Sequence, residues 1–374
     1  MANLKEALHA FALDGENNFV NENFGSGHIN DTIKVEVRDS NPTEAYILQR
    51  VNTNVFKNPD AMMNNIIAIT DFMRKEAESE ELRRGVLEFK KSIDGSYLFK
   101  DSEFNYWRCY KFIDKAETYL QSKDKNSFRL SGVAFGRFMS ILKDFPAEKL
   151  VETIPFFHDT EKRFETFKSV LEQDVMNRLS TCQEEVDFVL NREKDVSALV
   201  KKLADGSLPL RVTHNDTKLN NVLFSIETGE PIAVIDLDTV MPGLAAYDFG
   251  DSIRFGASTA VEDEQDLSKV NFSLELFEAY VDGYLSVCAK DLSEEEVKSL
   301  ALGAKIITLE TGIRFLTDYL DGDVYFKTSR EGHNLDRART QFKLVQEMEE
   351  NSGEMLRILR KYSVNYGGPD FQIV

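Results

Sequence analysis

The sequence predicts an α+β protein with two lobes, a small strand-rich lobe over residues 1–113 and a large, mainly helical lobe over residues 114–374. Predicted strands are concentrated in the first hundred or so residues, where IKVEVR (33–38) alternates apolar and polar residues as a half-buried strand does. From about residue 126, apolar residues instead recur at the spacing of amphipathic helices. A chain of 374 residues also commonly divides into two domains.

The small lobe is predicted to contain one helix among several strands. Pro59 begins this helix, and Met62, Ile66 and Ile69 lie on its apolar face. The strands are predicted at 19–24, 33–38, 45–50, 86–91, 96–99 and 105–113. Short strands grouped around a helix indicate a small α+β lobe.

The large lobe is predicted to combine long helices with three short strands. Ser293 and Glu296 have the spacing of a capping box, which marks the start of a helix. The helices are predicted at 128–142, 160–178, 183–204, 267–290, 294–320 and 335–361. The strands are predicted at 210–214, 221–224 and 232–238. The turn SIETGEP separates the last two strands, so these are expected to form a hairpin.

The net charge of the chain excludes one class of function. At −19 it argues against nucleic-acid binding, because phosphate contacts require clustered Lys and Arg side chains. The acidity has two explanations, a solvated surface that keeps the protein soluble and an acidic pocket for a cationic substrate. Bulk charge does not decide between them.

The chain shows the features of a soluble protein from a reducing compartment. No apolar run approaches the roughly 20 residues of a membrane span, and the N-terminus has no signal-peptide core. Cys109, Cys182 and Cys288 match no metal-ligand spacing, and their odd, sparse number is typical of a reducing compartment. We therefore expect a cytoplasmic protein without a membrane partner, present as a monomer or a weak dimer.

The stretch RVTHNDTKLNNVLF, residues 211–224, places many polar side chains between two short strands. Asp216 and Asn221 lie five residues apart, and Asp236 follows in the run AVIDLD. The predicted hairpin folds Asp236 back toward Asp216 and Asn221. Polar groups are costly to bury without partners, so this convergence indicates a binding site. The alternative is that these residues cap a turn and end a strand.

The spacing of these three residues is the one that phosphoryl transfer requires. One carboxylate orients a hydroxyl nucleophile and accepts its proton, while a second carboxylate and an amide oxygen hold the metal ions that bind the nucleotide phosphates. Hard oxygen ligands suit Mg²⁺. Kinase sites follow the same order, H-x-D, four residues, N, and then a strand that ends in the second Asp.

HNDTKLNN, with VIDLD and the later PGLAAYDFGD, resembles the aminoglycoside phosphotransferase and choline kinase superfamily, which has a protein-kinase-like fold. The resemblance implies that Asp216 is the catalytic base, that Asn221 and Asp236 bind Mg²⁺, and that ATP is the co-substrate bound by the small lobe. It also implies that Lys218 meets the transferred phosphate. A solvated surface position for Lys218 is the alternative.

Segments along most of the chain resemble a narrower family, the bacterial N-acetylhexosamine 1-kinases. These segments are GHIN (27–30), YILQ (46–49), FHDT (157–160), LRVTHNDTKLNN (210–221), IDLDT (235–239) and RFGAST (254–259), followed by matches over 314–326 and 343–349. The resemblance implies transfer of the ATP γ-phosphate to the anomeric hydroxyl of N-acetylglucosamine or N-acetylgalactosamine. It implies a neutral amino sugar that His28 faces, that Arg314 and Tyr325 hydrogen-bond and whose hydroxyl Asp216 orients. Phe255 is a further candidate, as an apolar wall for the sugar. The alternatives are a solvent-exposed His28 and an exposed ion-pair stripe formed by Glu310, Arg314 and Asp318 on one helix face.

The nucleotide side of the site is predicted from the small lobe. Gly25 and Gly27 would let a hairpin approach the phosphates without a Cβ in the way. By resemblance to kinase hinges, main-chain groups of Tyr110, Lys111 and Phe112 would meet the adenine edge. Most kinases place a cation on the third strand, and this chain departs from that pattern with a glutamine at position 49. Two cations, at positions 50 and 111, are candidates for the phosphate contact.

Two alternative functions remain at this point. One is a related kinase that acts on an aminoglycoside or on an amino alcohol such as choline, which would require carboxylates for the cation. The other is a nucleotide-binding regulator that has lost catalysis. The second is disfavoured because Asp216, Asn221 and Asp236 are all present.

Overall fold

The computed structural model describes residues 2–21, 30–38, 43–122 and 124–373. The helices are α1 (Ala2–Ala10), α2 (Pro59–Glu76), α3 (Glu80–Arg84), α4 (Lys125–Ile141), α5 (Thr160–Gln173), α6 (Gln183–Leu190), α7 (Ala198–Ala204), α8 (Ala245–Gly256), α9 (Leu274–Cys288), α10 (Glu294–Asp321), α11 (His333–Glu350) and α12 (Ser352–Asn365). The strands are β1 (Phe19–Asn21), β2 (Asp31–Val37), β3 (Glu44–Val51), β4 (Phe89–Lys90), β5 (Phe99–Lys100), β6 (Tyr106–Lys111), β7 (Ala116–Glu117), β8 (Arg211–Thr213), β9 (Val222–Ser225), β10 (Pro231–Val234) and β11 (Met241–Gly243).

The chain forms two units, each built from several segments. The sheet unit comprises Met1–Glu117, Lys149–Pro155 and Leu223–Met241. The helical unit comprises Thr118–Glu148, Phe156–Val222 and Pro242–Val374. The hairpin that carries Asp236 therefore belongs to the sheet unit, although the predicted division at residue 113 assigned it to the large lobe. The predicted roles of the two lobes stay predictions.

The sheet unit is built on an antiparallel sheet with strand order β1-β2-β3-β6-β4, in which β5 also pairs with β6. The central strands bury Leu48 and Cys109, and helix α1 covers them with Ala7 and Phe11. Helix α1 was not among the predicted elements. A helix of nine residues is marginal by itself and depends on such packing, which local sequence does not reveal.

The helical unit is organised around α8 and α10, which approach closely at two glycines. A Cβ on Gly250 would lie 2.5 Å from the main-chain oxygen of Gly303, so a larger residue would force the helices apart. Helix α10 begins with the predicted capping box, in which Ser293 and Glu296 bond each other's main-chain N–H groups. Most of α8 is buried.

Several predicted boundaries were wrong. The single helix expected at 335–361 is broken at Asn351 into α11 and α12, and the one expected at 183–204 is two shorter helices. The strand expected at 232–238 ends at Val234, because Asp236 adopts a left-handed conformation with φ of 61°. Within the described ranges, no helix has the length and apolar character to cross a membrane.

Candidate active site

The polar loop, which we define as residues 214–221, connects β8 to β9 and ends in a 3₁₀ turn at Leu219–Asn221. Asn215 has a φ of 65°, a left-handed conformation that Asn tolerates better than most residues. Beyond this turn, Thr217 and Leu219 are buried whereas Asp216 and Lys218 are partly exposed. The loop therefore presents the two predicted catalytic side chains on its accessible face.

Two buried carboxylates of α8 hold the main chain of the polar loop. Asp248 accepts hydrogen bonds from the main-chain N–H groups of His214 (2.8 Å) and Asn215 (2.7 Å). Asp251 accepts one from the N–H of Thr217 (2.9 Å). The two aspartates are three residues apart and so share one face of the helix. These bonds satisfy buried donors and give the loop one conformation.

The pKa values of Asp248 and Asp251 are shifted in opposite directions. Burial raises the pKa of Asp248, and the neighbouring His214 opposes this only in part. Burial would also raise the pKa of Asp251, but Arg254 and Lys218 outweigh it and hold that pKa below its usual value. Arg254 lies 3.0 Å from Asp251 and 2.8 Å from Glu262, so the second anchor is itself fixed by an ion-pair chain.

The partly exposed carboxylate of Asp216 has two neighbours on the polar loop. The ammonium group of Lys218 lies 2.8 Å from its Oδ1. The amide Nδ2 of Asn221 donates to Asp216 Oδ2 (3.0 Å) and to the main-chain oxygen of Asp216 (2.8 Å). Burial disfavours the charged form of Lys218, but Asp216 and Asp251 outweigh it and raise the pKa of the ammonium group. Lys218 is thus not a purely solvated side chain.

Asp236 follows β10 in the sheet unit and precedes a 3₁₀ turn at Leu237–Thr239. The next carboxylate, that of Asp238, is buried and forms an ion pair with the buried guanidinium of Arg108. Gln49 accepts hydrogen bonds from Nε (3.0 Å) and Nη2 (2.8 Å) of the same guanidinium. The cation nearest to position 49 is therefore Arg108, which faces it from β6.

Sequence reasoning missed Arg108 because it lies within an apolar strand. The two cations considered earlier are elsewhere. Arg50 forms an exposed ion pair with Asp31, and Lys111 is exposed at the end of β6. Gln49 of β3 lies opposite Arg108 of β6 in the sheet. This strand register identifies Arg108 as the cation beside Gln49, and it can be read only once the pairing of β3 with β6 is known.

The predicted nucleotide residues are described only in part. Gly25, Gly27 and His28 lie outside the described residues. The main-chain N–H of Lys111 donates to Glu88 (2.8 Å) and that of Phe112 donates to Ala45 (2.8 Å). These two N–H groups are thus already bonded within the sheet unit, and any adenine contact would have to use other main-chain groups.

Burial raises the pKa of the hydroxyl of Tyr110, which also lies within electrostatic range of Arg108, Asp236 and Asp238. The side chain at the end of β6 is therefore near the predicted metal ligand Asp236 in the sheet unit. The contact of Tyr110 with adenine stays a prediction.

Two predicted acceptor residues, Arg314 of α10 and Tyr325, lie among aromatic side chains of the helical unit. We call the group of Arg314, Phe157, Tyr325 and Phe326 the aromatic corner. The guanidinium carbon of Arg314 is 6.0 Å from the ring centre of Phe157, 5.8 Å from that of Tyr325 and 5.5 Å from that of Phe326. Tyr325 is 71% exposed, so its hydroxyl is accessible to a ligand. The structure thus brings Arg314 and Tyr325 together.

Glu310 and Asp318, which share the helix face of Arg314, are buried rather than part of an exposed ion-pair stripe. Glu310 accepts a hydrogen bond from the hydroxyl of Thr160 (2.7 Å). Asp318 accepts hydrogen bonds from consecutive main-chain N–H groups, including that of Tyr325 (2.8 Å). These carboxylates hold the segments that carry the aromatic corner.

Phe255 lines a different part of the helical unit, a cavity of about 1000 Å³. Thr217 and Leu219 of the polar loop and Arg254 of α8 also line this cavity. Neither Arg314 nor Tyr325 is among its described lining residues. The predicted acceptor residues therefore divide between two places, of which the Phe255 cavity borders the polar loop directly.

The residue types predicted for Mg²⁺ fit that ion. Among the described residues, no group of three or more His, Cys, Asp and Glu side chains is arranged to hold a metal. Mg²⁺ needs only one or two protein carboxylates, because phosphates and waters supply its other ligands. The side-chain Oδ1 of Asn221 and the carboxylate of Asp236 are hard oxygen ligands of the kind that this ion prefers. The convergence of Asp236 on the polar loop stays a prediction.

Comparison with known proteins identifies the class of the chain. A model of the phosphotransferase enzyme family, APH, matches residues 21–286. The chain therefore belongs to this family. Kinases of the family use ATP with a divalent metal ion.

Solved structures with the same fold extend over nearly the whole chain. A choline/ethanolamine kinase family protein from Mesorhizobium loti is 16% identical with a TM-score of 0.58, covering 96% of this chain and 98% of that one. A spectinomycin phosphotransferase in complex with ADP and spectinomycin is 13% identical with a TM-score of 0.56, covering 95% and 98%. A choline kinase from Cryptosporidium parvum is 16% identical with a TM-score of 0.55, covering 93% and 94%. The predicted protein-kinase-like α+β fold is thereby confirmed.

Proposed function

We propose that this phosphotransferase is an ATP-dependent kinase that phosphorylates the anomeric hydroxyl of an N-acetylhexosamine. The observation that carries the proposal is the geometry of the polar loop. Asp216 is presented on its accessible face between Lys218 and Asn221, while Asp248 and Asp251 fix the main chain behind it. Such pre-organisation around a carboxylate suits a general base.

In the proposed reaction the anomeric oxygen attacks the γ-phosphorus of ATP. The new O–P bond forms as the bond to the β,γ-bridging oxygen breaks, and ADP leaves. Asp216 orients the hydroxyl and accepts its proton, and Lys218 stabilises negative charge on the transferred group. Asn221 and Asp236 would hold Mg²⁺, which neutralises charge on the nucleotide phosphates when bound.

The aromatic corner supports a neutral acceptor rather than a cationic one. A quaternary ammonium substrate such as choline would need open aromatic faces or carboxylates. The rings of Phe157, Tyr325 and Phe326 instead surround the guanidinium of Arg314, and the carboxylates of Glu310 and Asp318 are buried. A cation bound in this corner would be repelled by Arg314.

On the nucleotide side, we infer that Arg108 takes the place of the usual third-strand cation. It is held by Gln49 and Asp238, and it lies within electrostatic range of Asp236, the predicted metal ligand. The bound ATP, the neutral amino-sugar partner, the cytoplasmic location and the monomeric or weakly dimeric state are parts of the same proposal.

An acceptor panel tests the function. The protein with Mg-ATP would be incubated separately with N-acetylglucosamine, N-acetylgalactosamine, kanamycin and choline, and ADP release would be followed. We expect turnover with at least one N-acetylhexosamine and only background ADP with kanamycin and choline. Turnover with kanamycin or choline alone would instead favour the aminoglycoside or amino-alcohol alternative, and background release with every acceptor would favour a nucleotide-binding regulator.

A further inference from the structure

Two buried nitrogen atoms beside the aromatic corner have no hydrogen-bond partner among the described residues. They are Nε2 of His158 and Nε of Arg163, on either side of the first turn of α5. A buried polar atom without a partner is costly and uncommon in folded proteins. Two such atoms in one region of the helical unit are therefore candidates for hydrogen bonds to a bound molecule, either a water or a ligand.

The surroundings of His158 determine what its free nitrogen can do. The side chain is only 8% exposed, and Nδ1 lies 3.0 Å from a carboxylate oxygen of Glu310. Because an ionised carboxylate can only accept, Nδ1 carries a hydrogen, and with this single ring hydrogen Nε2 is a hydrogen-bond acceptor. The ring centre of His158 lies 4.7 Å from that of Phe157 and 5.1 Å from that of Tyr247. These rings hold the imidazole in place.

Arg163 provides the complementary group. Its Nη2 donates a hydrogen bond to the main-chain oxygen of Phe157 (3.2 Å). The ring of Phe157 in turn contacts His158 and Arg314. Burial and then the positive charge of Arg314 lower the pKa of Arg163. An arginine nevertheless stays protonated in proteins, so its Nε is a donor only.

Helix α8 connects the surroundings of His158 with the polar loop. Tyr247, which packs against His158, precedes Asp248, and Asp248 holds the N–H groups of His214 and Asn215. Helix α8 therefore contacts both His158 and the polar loop that carries Asp216.

We propose that His158 and Arg163 form an amide-binding subsite for the N-acetyl group of the acceptor sugar. Nε2 of His158 would accept a hydrogen bond from the amide N–H, and Nε of Arg163 would donate one to the acyl oxygen. A secondary amide offers one donor and one acceptor, which matches this pair. An ammonium group offers no acceptor for Arg163 and would be repelled by it. The inference rests on the proposed function and adds two specificity residues to it.

The experiment replaces Arg163 with Met, which keeps a long apolar side chain and removes the donor. The KM for N-acetylglucosamine would be measured, together with the KM for Mg-ATP and the slow hydrolysis of Mg-ATP without sugar. We expect the KM for the sugar to rise about 10- to 100-fold, the range for a lost hydrogen bond to a charged group. The two nucleotide measurements should stay within about twofold. Arg163→Lys should recover part of the sugar affinity.

Lys162→Met is the matched control, because it removes an exposed positive charge from the adjacent position of the same helix. This variant should leave all three measurements within about twofold. Glucose, which has a hydroxyl in place of the acetamido group, serves as the second probe. Its inhibition constant against N-acetylglucosamine should change less than about threefold in Arg163→Met.

Three outcomes would overturn the inference. They are an unchanged KM for N-acetylglucosamine in Arg163→Met, equal losses for N-acetylglucosamine and glucose, or a parallel loss of nucleotide hydrolysis that indicates general damage. In each of these the wild-type protein still turns over the sugar, so the proposed function survives. If the wild-type protein turned over no N-acetylhexosamine, the proposed function would fail and this inference with it.

Discussion

The ammonium group of Lys218 lies 2.8 Å from a carboxylate oxygen of Asp216. Asp216 and Asp251 raise the pKa of this ammonium group against the effect of burial, so Lys218 is positively charged at neutral pH. A charged group at this position can both orient the proposed base and meet a transferred phosphate.

Replacing Lys218 with Met should therefore lower kcat more than it raises the KM for either substrate. The loss should be about 100-fold or more, the range for removing one group that stabilises charge in the transition state. Steady-state kinetics with Mg-ATP and N-acetylglucosamine would measure it. Asn220→Ala, a change at a neighbouring position of the polar loop, should have little effect. A Lys218→Met enzyme with normal kcat would show that the ion pair is structural.

Asp248→Asn should weaken the main-chain anchor of the polar loop. The carboxylate accepts from the N–H groups of both His214 and Asn215, and an amide places its own N–H against one of these donors. An unsatisfied buried donor costs about 1–3 kcal/mol, so the free energy of unfolding in urea should fall by that amount. The kcat should fall as well, because the base loses its fixed position. A stable variant with normal kcat would contradict the anchoring function.

Glu310→Gln should change how stability depends on pH. Burial alone would raise the pKa of Glu310, but the hydrogen bond from His158, the charge of Arg314 and the hydrogen bond from Thr160 outweigh it and hold that pKa below its usual value. A carboxyl group with a lowered pKa stabilises the fold above its unfolded pKa of about 4.3, and this stabilisation is lost as the pH falls further.

The difference in free energy of unfolding between wild type and Glu310→Gln should thus be about 1–3 kcal/mol at pH 7 and should shrink below about pH 4.3. Urea unfolding at pH 7, 5 and 4 would measure it. A difference that stays constant across this range would mean that the ionised carboxylate is not the stabilising form.

Gly250→Ala tests the close approach of α8 and α10 that positions Asp248 and Asp251. Alanine favours a helix over glycine by about 1 kcal/mol, but here its Cβ would lie 2.5 Å from the main-chain oxygen of Gly303. Overpacking of this kind costs about 1–3 kcal/mol, so the melting temperature should fall. The control is Gly353→Ala in α12, where the nearest atom is the flexible end of Arg357 at 4.0 Å and the melting temperature should not fall. Equal responses of the two variants would contradict the packing argument.

Much of the fold was predictable because its signals are local. Apolar and polar residues alternate along β2. Helix α2 has a regular apolar face with Met62 and Ile66 buried, and the capping box at Ser293 marks the start of α10. Helix α8 was not predicted, because its buried residues include Asp248, Asp251 and Arg254. Charged residues are seldom buried without partners. Here the main chain of the polar loop supplies hydrogen-bond partners for Asp248 and Asp251, which local sequence does not reveal.

The candidate site was predictable where residues are close in the chain. The spacing of Asp216, Lys218 and Asn221 places them on one loop, and in the structure Lys218 and Asn221 each contact Asp216. Their catalytic and metal-binding roles stay predictions. Arg108 and His158 were missed, because their partners lie at distant positions of the chain. The separation of Asp248 from Asp251 by three residues was a signal in the sequence that could have identified the anchors.

The central claim is that Asp216 accepts the proton of an anomeric hydroxyl during transfer of the γ-phosphate. Phosphorus NMR of the products from Mg-ATP and N-acetylglucosamine, made by wild type and by Asp216→Asn, tests it most directly. We predict a sugar 1-phosphate from wild type and formation slowed about 10²- to 10⁴-fold in Asp216→Asn, with Mg-ATP binding retained. Phosphate at C6 of the sugar, or near-normal formation of product by Asp216→Asn, would contradict the claim.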